Sequence, residues 1–173
     1  SGKRFNAEGL AVQNASNGQR GDSQLVVALE EKPPQIARFD PSGALLDRLA
    51  VPPPAHDLAN YRKKGRGLES VVMHPEHGVM TAPEAPLLSR PAGQHTGYAQ
   101  GRAWAFPRYD SDSRLKGLDV LPDGKLLVLE RSRPGPAKDA QVAALRRVDL
   151  TSCDTQGACQ ATLLAALPAG PEN

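Results

Sequence analysis

Short apolar runs separated by turn residues dominate the chain. In the stretch 118–131, one apolar run leads into the Pro-Asp-Gly turn at 122–124, and a second apolar run follows it. Pro, Asp and Gly favour turns, and Leu and Val suit strands, so this stretch predicts a β-hairpin. We expect its two acids, Asp119 and Glu130, to return to the same end of the hairpin, with Arg131 close by. An apolar hairpin with ionisable groups at one rim is a candidate site.

The same layout occurs twice earlier in the chain. Residues 6–12 lead through a polar loop to residues 24–30, and residues 67–72 lead through a second loop to residues 78–84. Each copy has a Gly-Leu pair beside an acid, then a turn, then a strand that ends in Glu. A repeat distance of roughly 50 to 60 residues indicates a β-propeller, in which four-stranded sheets, the blades, pack face to face around an axis.

The repeats predict an all-β fold with about three four-stranded antiparallel blades in one propeller domain, residues 1–173. The expected blades are roughly residues 6–60, 61–115 and 116–173. In the second blade, 89–101 is interpreted as a polar loop and 102–109 as the third strand, which leaves the fourth strand unassigned. Since closed propellers have about four to eight blades, we expect a section of a longer propeller or a ring that a second chain completes.

Composition narrows the classes of function. With 39% hydrophobic residues, the 173-residue chain can build one ordinary core, and its net charge of +2 gives no polyanion-binding signature for the whole chain. Aromatic residues make up only 4%, which argues against a stacking platform for nucleic acid. No apolar run approaches the roughly 20 residues of a membrane-spanning helix. We therefore expect neither a nucleic-acid partner nor a membrane span.

The two cysteines, Cys153 and Cys159, flank a polar loop between two apolar segments. A disulfide across this loop is sterically easy and indicates an oxidising compartment such as a periplasm. The alternative is a pair of reduced surface thiols. The spacing of the two cysteines does not fit a zinc knuckle, and the sequence has no second Cys/His pair to complete one.

Acidic residues recur at matching positions of the repeats. They are Glu8, Glu30, Glu69, Glu84, Asp119 and Glu130. If the inner strands bring these carboxylates to one rim, they repel one another, and calcium removes the conflict because it binds about six to eight oxygens in irregular geometry. We expect all six as metal ligands, with calcium as the cofactor, since a bound cation can hold phosphate oxygens and activate water. The alternative is structural, because acids at strand ends also accept turn amides or pair with arginine.

Chemical roles follow from this expected rim. The candidate catalytic residues are Glu69, Asp119, Glu130 and Arg131. The candidates for binding an anionic substrate are Arg131, Arg66 and Arg4. On this hypothesis, Glu130→Gln lowers metal affinity and turnover without unfolding the protein. The four histidines lie in predicted loops, and the chain has no Gly-x-Ser-x-Gly elbow of a serine hydrolase.

Several motifs occur in the order of a known family. They are Asn6–Leu10, Leu29–Glu30, Pro33–Asp40, Lys64–Glu69, Pro83–Leu87, Lys116–Asp119 and Leu126–Ser132. Through them the chain resembles the bacterial phytase-like family, "esterase-like activity of phytase", over nearly its whole length, and the Leu126–Ser132 run is the most specific part. The resemblance implies an exported β-propeller and, through more distant similarity to propeller phytases, a hydrolase of phosphoesters.

Three functions remain open at this point. The first is a periplasmic or secreted, calcium-assisted hydrolase that acts on a small anionic ester, a phosphoester or a related one. The second is a non-catalytic propeller that binds a ligand or a protein partner through the same rim. The third is a lactonase-like metal hydrolase, because that chemistry also uses carboxylates around a propeller channel. Calcium binding separates the second from the others, and a profile of phosphomonoesters against lactones separates the first from the third.

Overall fold

The structure, a computed structural model, describes residues 6–14, 17–19, 21–62, 67–133 and 141–169. The strands in chain order are β1 (Ala7–Gln13), β2 (Gln24–Leu29), β3 (Gln35–Phe39), β4 (Leu45–Leu49), β5 (Leu68–His74), β6 (Gly78–Pro83), β7 (Gln94–Ala99), β8 (Arg102–Pro107), β9 (Arg114–Val120), β10 (Leu126–Ser132), β11 (Gln141–Asp149) and β12 (Gln160–Ala169). Two short 3-10 helices span Leu58–Asn60 and Leu150–Ser152. Among these described residues, no helix is long and apolar enough to cross a membrane.

The strands form three four-stranded antiparallel sheets. Sheet 1 contains β1 to β4, sheet 2 contains β5 to β8 and sheet 3 contains β9 to β12, with consecutive strands as neighbours in each. The predicted turn between β9 and β10 is present, and its Gly124 has a φ of 79°, a conformation that favours glycine. The prediction of an all-β fold made of propeller blades is confirmed.

The sheets pack face to face through two apolar cores. The core between sheets 1 and 2 contains Val26, Ala28, Ile36, Leu68, Val71 and Tyr98. The core between sheets 2 and 3 contains Val72, Met80, Trp104, Phe106, Leu126 and Val128. The first strands of the sheets are neighbours, since β5 lies against both β1 and β9. A Cβ at Gly9 would lie 2.7 Å from the Cα of Ser70, so β1 and β5 meet backbone to backbone.

Sheet 2 corrects one sequence prediction. Residues 89–101 were expected to form a loop, but they contain β7, the third strand of the sheet, which brings sheet 2 to four strands. The segment 102–109, expected as the third strand, contains the fourth strand, β8. Strand β7 is polar in sequence, yet His95 to Ala99 are all buried, because both faces of the strand are covered. A strand buried on both faces shows no apolar alternation, so the periodicity could not reveal it.

The disulfide expected at the cysteine loop is present between Cys153 and Cys159. The loop lies on the outer strand of sheet 2. The Ala105 amide donates to the Gly157 carbonyl at 2.7 Å, and the Cys159 amide donates to the Ala105 carbonyl at 2.7 Å. The covalently closed loop of sheet 3 therefore extends the edge of sheet 2 and fastens the two sheets together.

The two terminal sheets carry exposed apolar side chains. In sheet 1, Leu10 is 63% exposed, and Val12 on the same strand face is also exposed. In sheet 3, the exposed residues include Leu129 and Leu167. These are the sheets on which further blades or a second chain would pack, and that partner stays a prediction, as do the domain bounds.

Candidate functional site

One end of the blades, called the rim here, is where the first strand of each sheet begins and the second strand ends. The strand registers identify which residues are equivalent at the rim. The matching cross-strand pairs are Ala7 with Leu29, Leu68 with Pro83, and Leu115 with Glu130. In each first strand, a one-residue bulge follows the paired residue. The three bulged residues are Glu8, Glu69 and Lys116, so Lys116 is the sheet 3 equivalent of the two glutamates.

This register corrects the alignment of repeats made from sequence. The Gly-Leu-acid pattern equates Asp119 with Glu69, but Asp119 lies three residues beyond Lys116, the true equivalent. The misalignment arises because the Gly-Leu pair precedes the bulged residue in sheet 2 but follows it in sheet 3, so the motif does not mark the same position in the two strands. A second shift follows on β10, where Arg131 takes the position that Glu84 has in sheet 2. Sheet 3 therefore carries cations at both rim positions where sheets 1 and 2 carry glutamate.

The expected meeting of Asp119 and Glu130 is wrong. Asp119 pairs with Leu127, three residues before Glu130, which corresponds to roughly 10 Å along the strand. Residues three apart on a strand also point to opposite faces. Asp119 is exposed, whereas Glu130 has no exposed surface.

Lys116 lies between two carboxylates at the rim. Its Nζ atom is 2.5 Å from Oε1 of Glu69 and 2.7 Å from Oε1 of Glu84. The three side chains are mostly buried, with 22% of Lys116, 12% of Glu69 and 9% of Glu84 exposed. Arg114 adds a second cation, its Nη1 atom 3.8 Å from the same oxygen of Glu84. We call these four residues the rim cluster; sheets 2 and 3 build it together.

The rim cluster shifts the pKa values of Glu69 and Lys116. Burial raises the pKa of Glu69, Lys116 opposes that shift, and the charges of Glu84 and Glu8 add to it. For Lys116, burial lowers the pKa, but hydrogen bonds to Glu69 and Glu84 outweigh burial, so the net shift is upward. The cluster therefore places a carboxyl group with a raised pKa beside an ammonium group that stays charged.

Glu30 occupies the corresponding place at the junction of sheets 1 and 2. Its Oε1 atom accepts a hydrogen bond from the Gly67 amide at 2.7 Å, and Oε2 accepts one from Nδ2 of Asn6 at 2.9 Å. A Cβ at Gly67 would lie 2.7 Å from Cγ of Glu30, so a glycine is needed for this close approach. Glu30 thus fastens sheet 1 to sheet 2.

Glu130 lies in a sealed polar network between sheets 2 and 3. Its Oε2 atom accepts hydrogen bonds from the Ser113 hydroxyl at 2.6 Å and the Tyr109 amide at 2.8 Å, and lies 3.1 Å from Nε2 of His95. Its Oε1 atom accepts one from Nη1 of Arg146 at 2.9 Å. Burial raises the pKa of Glu130, but His95, Ser113 and the Tyr109 amide more than reverse this, to about 2. The carboxylate is a fixed anion without access to solvent.

The six expected ligands do not gather around one point. Glu69 and Glu84 belong to the rim cluster, and the charge of Glu8 acts on Glu69. Glu30 lies at another junction, and Glu130 and Asp119 lie apart, so the expectation that all six converge is wrong. Lys116 occupies the space between carboxylates that we assigned to calcium. In the part of the chain that the structure describes, no group of three or more His, Cys, Asp or Glu side chains is placed to hold a metal ion. The described residues therefore do not fit calcium, whose role stays an untested prediction.

The other predicted residues are distributed as follows. Arg131 lies at the rim end of β10, directly opposite Arg114. Arg4 and Arg66 lie outside the described residues. Sequence reasoning missed Lys116, although a signal was present: Glu8 and Lys116 each precede a Gly-Leu pair, and that alignment gives the equivalence that the structure has.

A cavity of about 600 Å³ lies at the opposite end of the blades, between sheets 2 and 3. His77 lines it, with its ring stacked on that of His74 at 4.5 Å and tilted against that of Trp104 at 4.8 Å between ring centroids. Burial, followed by the charges of His74 and Arg102, lowers the pKa of His77. His74 was expected in a loop, but it is the last residue of β5, is buried, and its Nε2 atom lies 2.8 Å from the Gly124 carbonyl oxygen.

The three four-stranded sheets are the blades of a propeller-type protein. Its rim, where the first strands begin, carries a cluster of carboxylates and a lysine. A family model described as "Phytase-like: Esterase-like activity of phytase" matches residues 1–170. The chain belongs to this phytase-like family, as its motifs led us to expect. No curated protein and no solved structure gave a significant match.

Proposed function

We propose that this protein is a phytase-like ester hydrolase whose reaction takes place at the rim cluster. The observation that carries the proposal is the position of the Lys116 ammonium, 2.5 and 2.7 Å from the carboxylates of Glu69 and Glu84. The family's description supports an esterase-like reaction. A carboxyl group with a raised pKa is better matched to proton transfer near neutral pH than an ordinary glutamate.

Each residue of the cluster has a defined part in the proposed hydrolysis. The Glu69 carboxylate accepts a proton from water as that water attacks the ester, and it later gives the proton to the leaving alkoxide. The Lys116 ammonium stabilises the negative charge that develops on a non-bridging oxygen of the ester. Glu84 is a positioning residue, because it holds the ammonium in place. One water is consumed, and one acid and one alcohol are released.

Two variants test the proposal with p-nitrophenyl phosphate and p-nitrophenyl acetate as substrates. We expect Glu69→Gln and Lys116→Met each to lower kcat about 100-fold or more, since one removes the base and the other the charge that stabilises the transition state. The matched controls are Glu76→Gln and Lys125→Met at the opposite end of the blades, which should stay within about twofold of wild type.

Circular dichroism establishes whether the variants remain folded. If folded Glu69→Gln turns over at the wild-type rate, the rim cluster is not the site of hydrolysis. If the wild-type protein hydrolyses neither esters nor lactones, the non-catalytic interpretation is favoured. If lactones are hydrolysed and both p-nitrophenyl esters are not, the lactonase-like interpretation replaces the phosphoester one.

Export is part of the same proposal. The Cys153–Cys159 disulfide supports an oxidising location, because disulfides persist in a periplasm or outside the cell and are rare in a reducing cytosol. We therefore place the hydrolase in the periplasm or among secreted proteins. No step of the proposed reaction uses calcium.

A further inference from the structure

The cavity at the end of the blades opposite the rim has a wall that is fixed by several contacts. This wall is the disulfide-closed loop of sheet 3. Oδ1 of Asp154 accepts hydrogen bonds from the amides of Gln156 and Ala158 at 2.8 and 2.9 Å. A Cβ at Gly157 would lie 2.8 Å from the Ala103 carbonyl oxygen, so the loop lies directly against the backbone of β8. The cavity is therefore preformed, and its volume of about 600 Å³ is typical of small-molecule sites, which span about 300–1,000 Å³.

Polar groups of several kinds line this cavity. Arg102, at the start of β8, contributes a guanidinium group, and the loop contributes the carboxylate of Asp154 and the amide of Gln156. Burial, followed by the charges of His74 and Arg102, lowers the pKa of His77, so its ring is uncharged at neutral pH. An uncharged imidazole offers one hydrogen-bond donor and one acceptor. The lining therefore presents both donors and acceptors to a ligand.

The remaining charges of the wall are partly compensated. The Lys125 ammonium lies 3.1 Å from a carboxylate oxygen of Asp123 and 3.6 Å from one of Asp149, and Glu76 is exposed. We assign none of these four residues to the ligand. Because the lining has more carboxylates than cations, an anion is disfavoured here.

The chemistry of the lining favours an uncharged polar ligand. A cation would meet the charge of Arg102, and an apolar molecule would remove water from Arg102 and Asp154 without replacing its hydrogen bonds, which is costly. A hydroxyl group both donates and accepts, so it satisfies a carboxylate as well as a guanidinium. The aromatic rings of His77 and Trp104, with centroids 4.8 Å apart, add an apolar surface for the C–H face of a sugar ring.

We propose that this cavity binds a neutral mono- or disaccharide. The hydroxyl groups of the sugar contact Arg102, Asp154 and Gln156, and its ring packs against His77. The site lies at the end of the blades opposite the rim cluster, and the inference does not depend on the proposed hydrolysis.

A fluorescence titration of the full chain tests the site, because Trp104 is the sole tryptophan of the sequence and lines the cavity. The probes are glucose, galactose, N-acetylglucosamine and maltose. We expect at least one of them to change the Trp104 emission in a saturable way. Its dissociation constant should stay the same as sodium chloride is raised, because a neutral ligand has no charge to screen.

Two variants locate the bound sugar. Arg102→Met and His77→Ala should each weaken binding about tenfold, since the first removes the guanidinium donors and the second removes the ring. The matched controls are Arg48→Met and His56→Ala, which change an exposed arginine of β4 and an exposed histidine that follows sheet 1. Both controls should bind the sugar as the wild-type protein does, and circular dichroism establishes that all four variants are folded.

Three results would overturn the saccharide site. The first is that none of the sugars changes the Trp104 emission, and the second is that the control variants lose as much affinity as Arg102→Met and His77→Ala. The third is a saturable response to putrescine or citrate in place of the sugars, which would identify an ionic ligand. None of these results bears on hydrolysis at the rim, which Glu69→Gln tests separately.

Discussion

Glu69 and Glu130 are two glutamates at the junction of sheets 2 and 3, and their surroundings make them chemically different. Glu69 has one ammonium partner, keeps 12% of its side chain exposed and has a raised pKa. Glu130 has no exposed surface and is surrounded by His95, Arg146, a hydroxyl and an amide, and its pKa is about 2. Burial raises the pKa of both carboxyl groups, so the donors aimed at each carboxylate decide the sign of the shift.

The difference separates a reactive group from a structural one. A carboxylate that accepts hydrogen bonds from several donors is a weak base, because the donors stabilise its charged form. A fully buried carboxylate also cannot contact a substrate from solvent. A half-satisfied carboxylate at a rim can exchange a proton and meet a ligand. Two glutamates at the same junction thus have opposite expected roles, and the predictions below test that contrast.

The largest expected effect is on stability at Glu130. Glu130→Gln should lower the free energy of unfolding by about 3–5 kcal/mol, because it leaves the buried Arg146 without its carboxylate. The expectation from sequence was that this variant lowers metal affinity and turnover without unfolding the protein. Urea unfolding followed by circular dichroism measures the change.

Glu69→Gln provides the comparison for that measurement. It should cost only about 1 kcal/mol, since Lys116 keeps Glu84 and some contact with water. Equal losses in the two variants would contradict the distinction between a sealed and an open carboxylate.

The next effect is the loss of stability in acid. The folded-state pKa of Glu130, about 2, lies below its ordinary value of 4.5, so its contribution is complete above 4.5 and is lost as pH falls towards 2. The wild-type protein should lose roughly 3 kcal/mol from this group over that interval. The stability difference between wild type and Glu130→Gln should shrink accordingly. A difference that stays constant from about pH 7 to about pH 2.5 would show that the carboxylate is not held in its charged form.

The fold was largely predictable because the patterns that specify its hairpins lie within short stretches of the sequence. Apolar runs interrupted by turn residues gave the hairpins, and their recurrence gave the blades. Strand β7 was the exception, because His95 and Thr96 are buried through contacts with residues distant in sequence. Polar side chains with partners elsewhere in the chain look like a loop when only neighbouring residues are considered.

The site was predictable in part. The sequence indicated Glu69 and Glu84 as rim acids, and both lie in the rim cluster. The placement of Asp119 was wrong because the Gly-Leu pair lies before the bulge in sheet 2 and after it in sheet 3, which the motif does not reveal. The burial of Glu130 was not predicted, because it depends on contacts with His95 and Arg146, which belong to other strands.

The smallest expected effect is that of calcium removal on kcat. If the Lys116 ammonium supplies the positive charge at the rim, treatment with EDTA should leave kcat for p-nitrophenyl phosphate within about twofold of its untreated value. A calcium site would instead need several free carboxylate oxygens, and Lys116 already occupies the closest oxygens of Glu69 and Glu84. Lys116→Met in excess calcium is the matched control, because it removes the ammonium that lies between both carboxylates. Loss of wild-type activity in EDTA, restored by added calcium, would contradict the lysine mechanism and support the calcium prediction made from sequence.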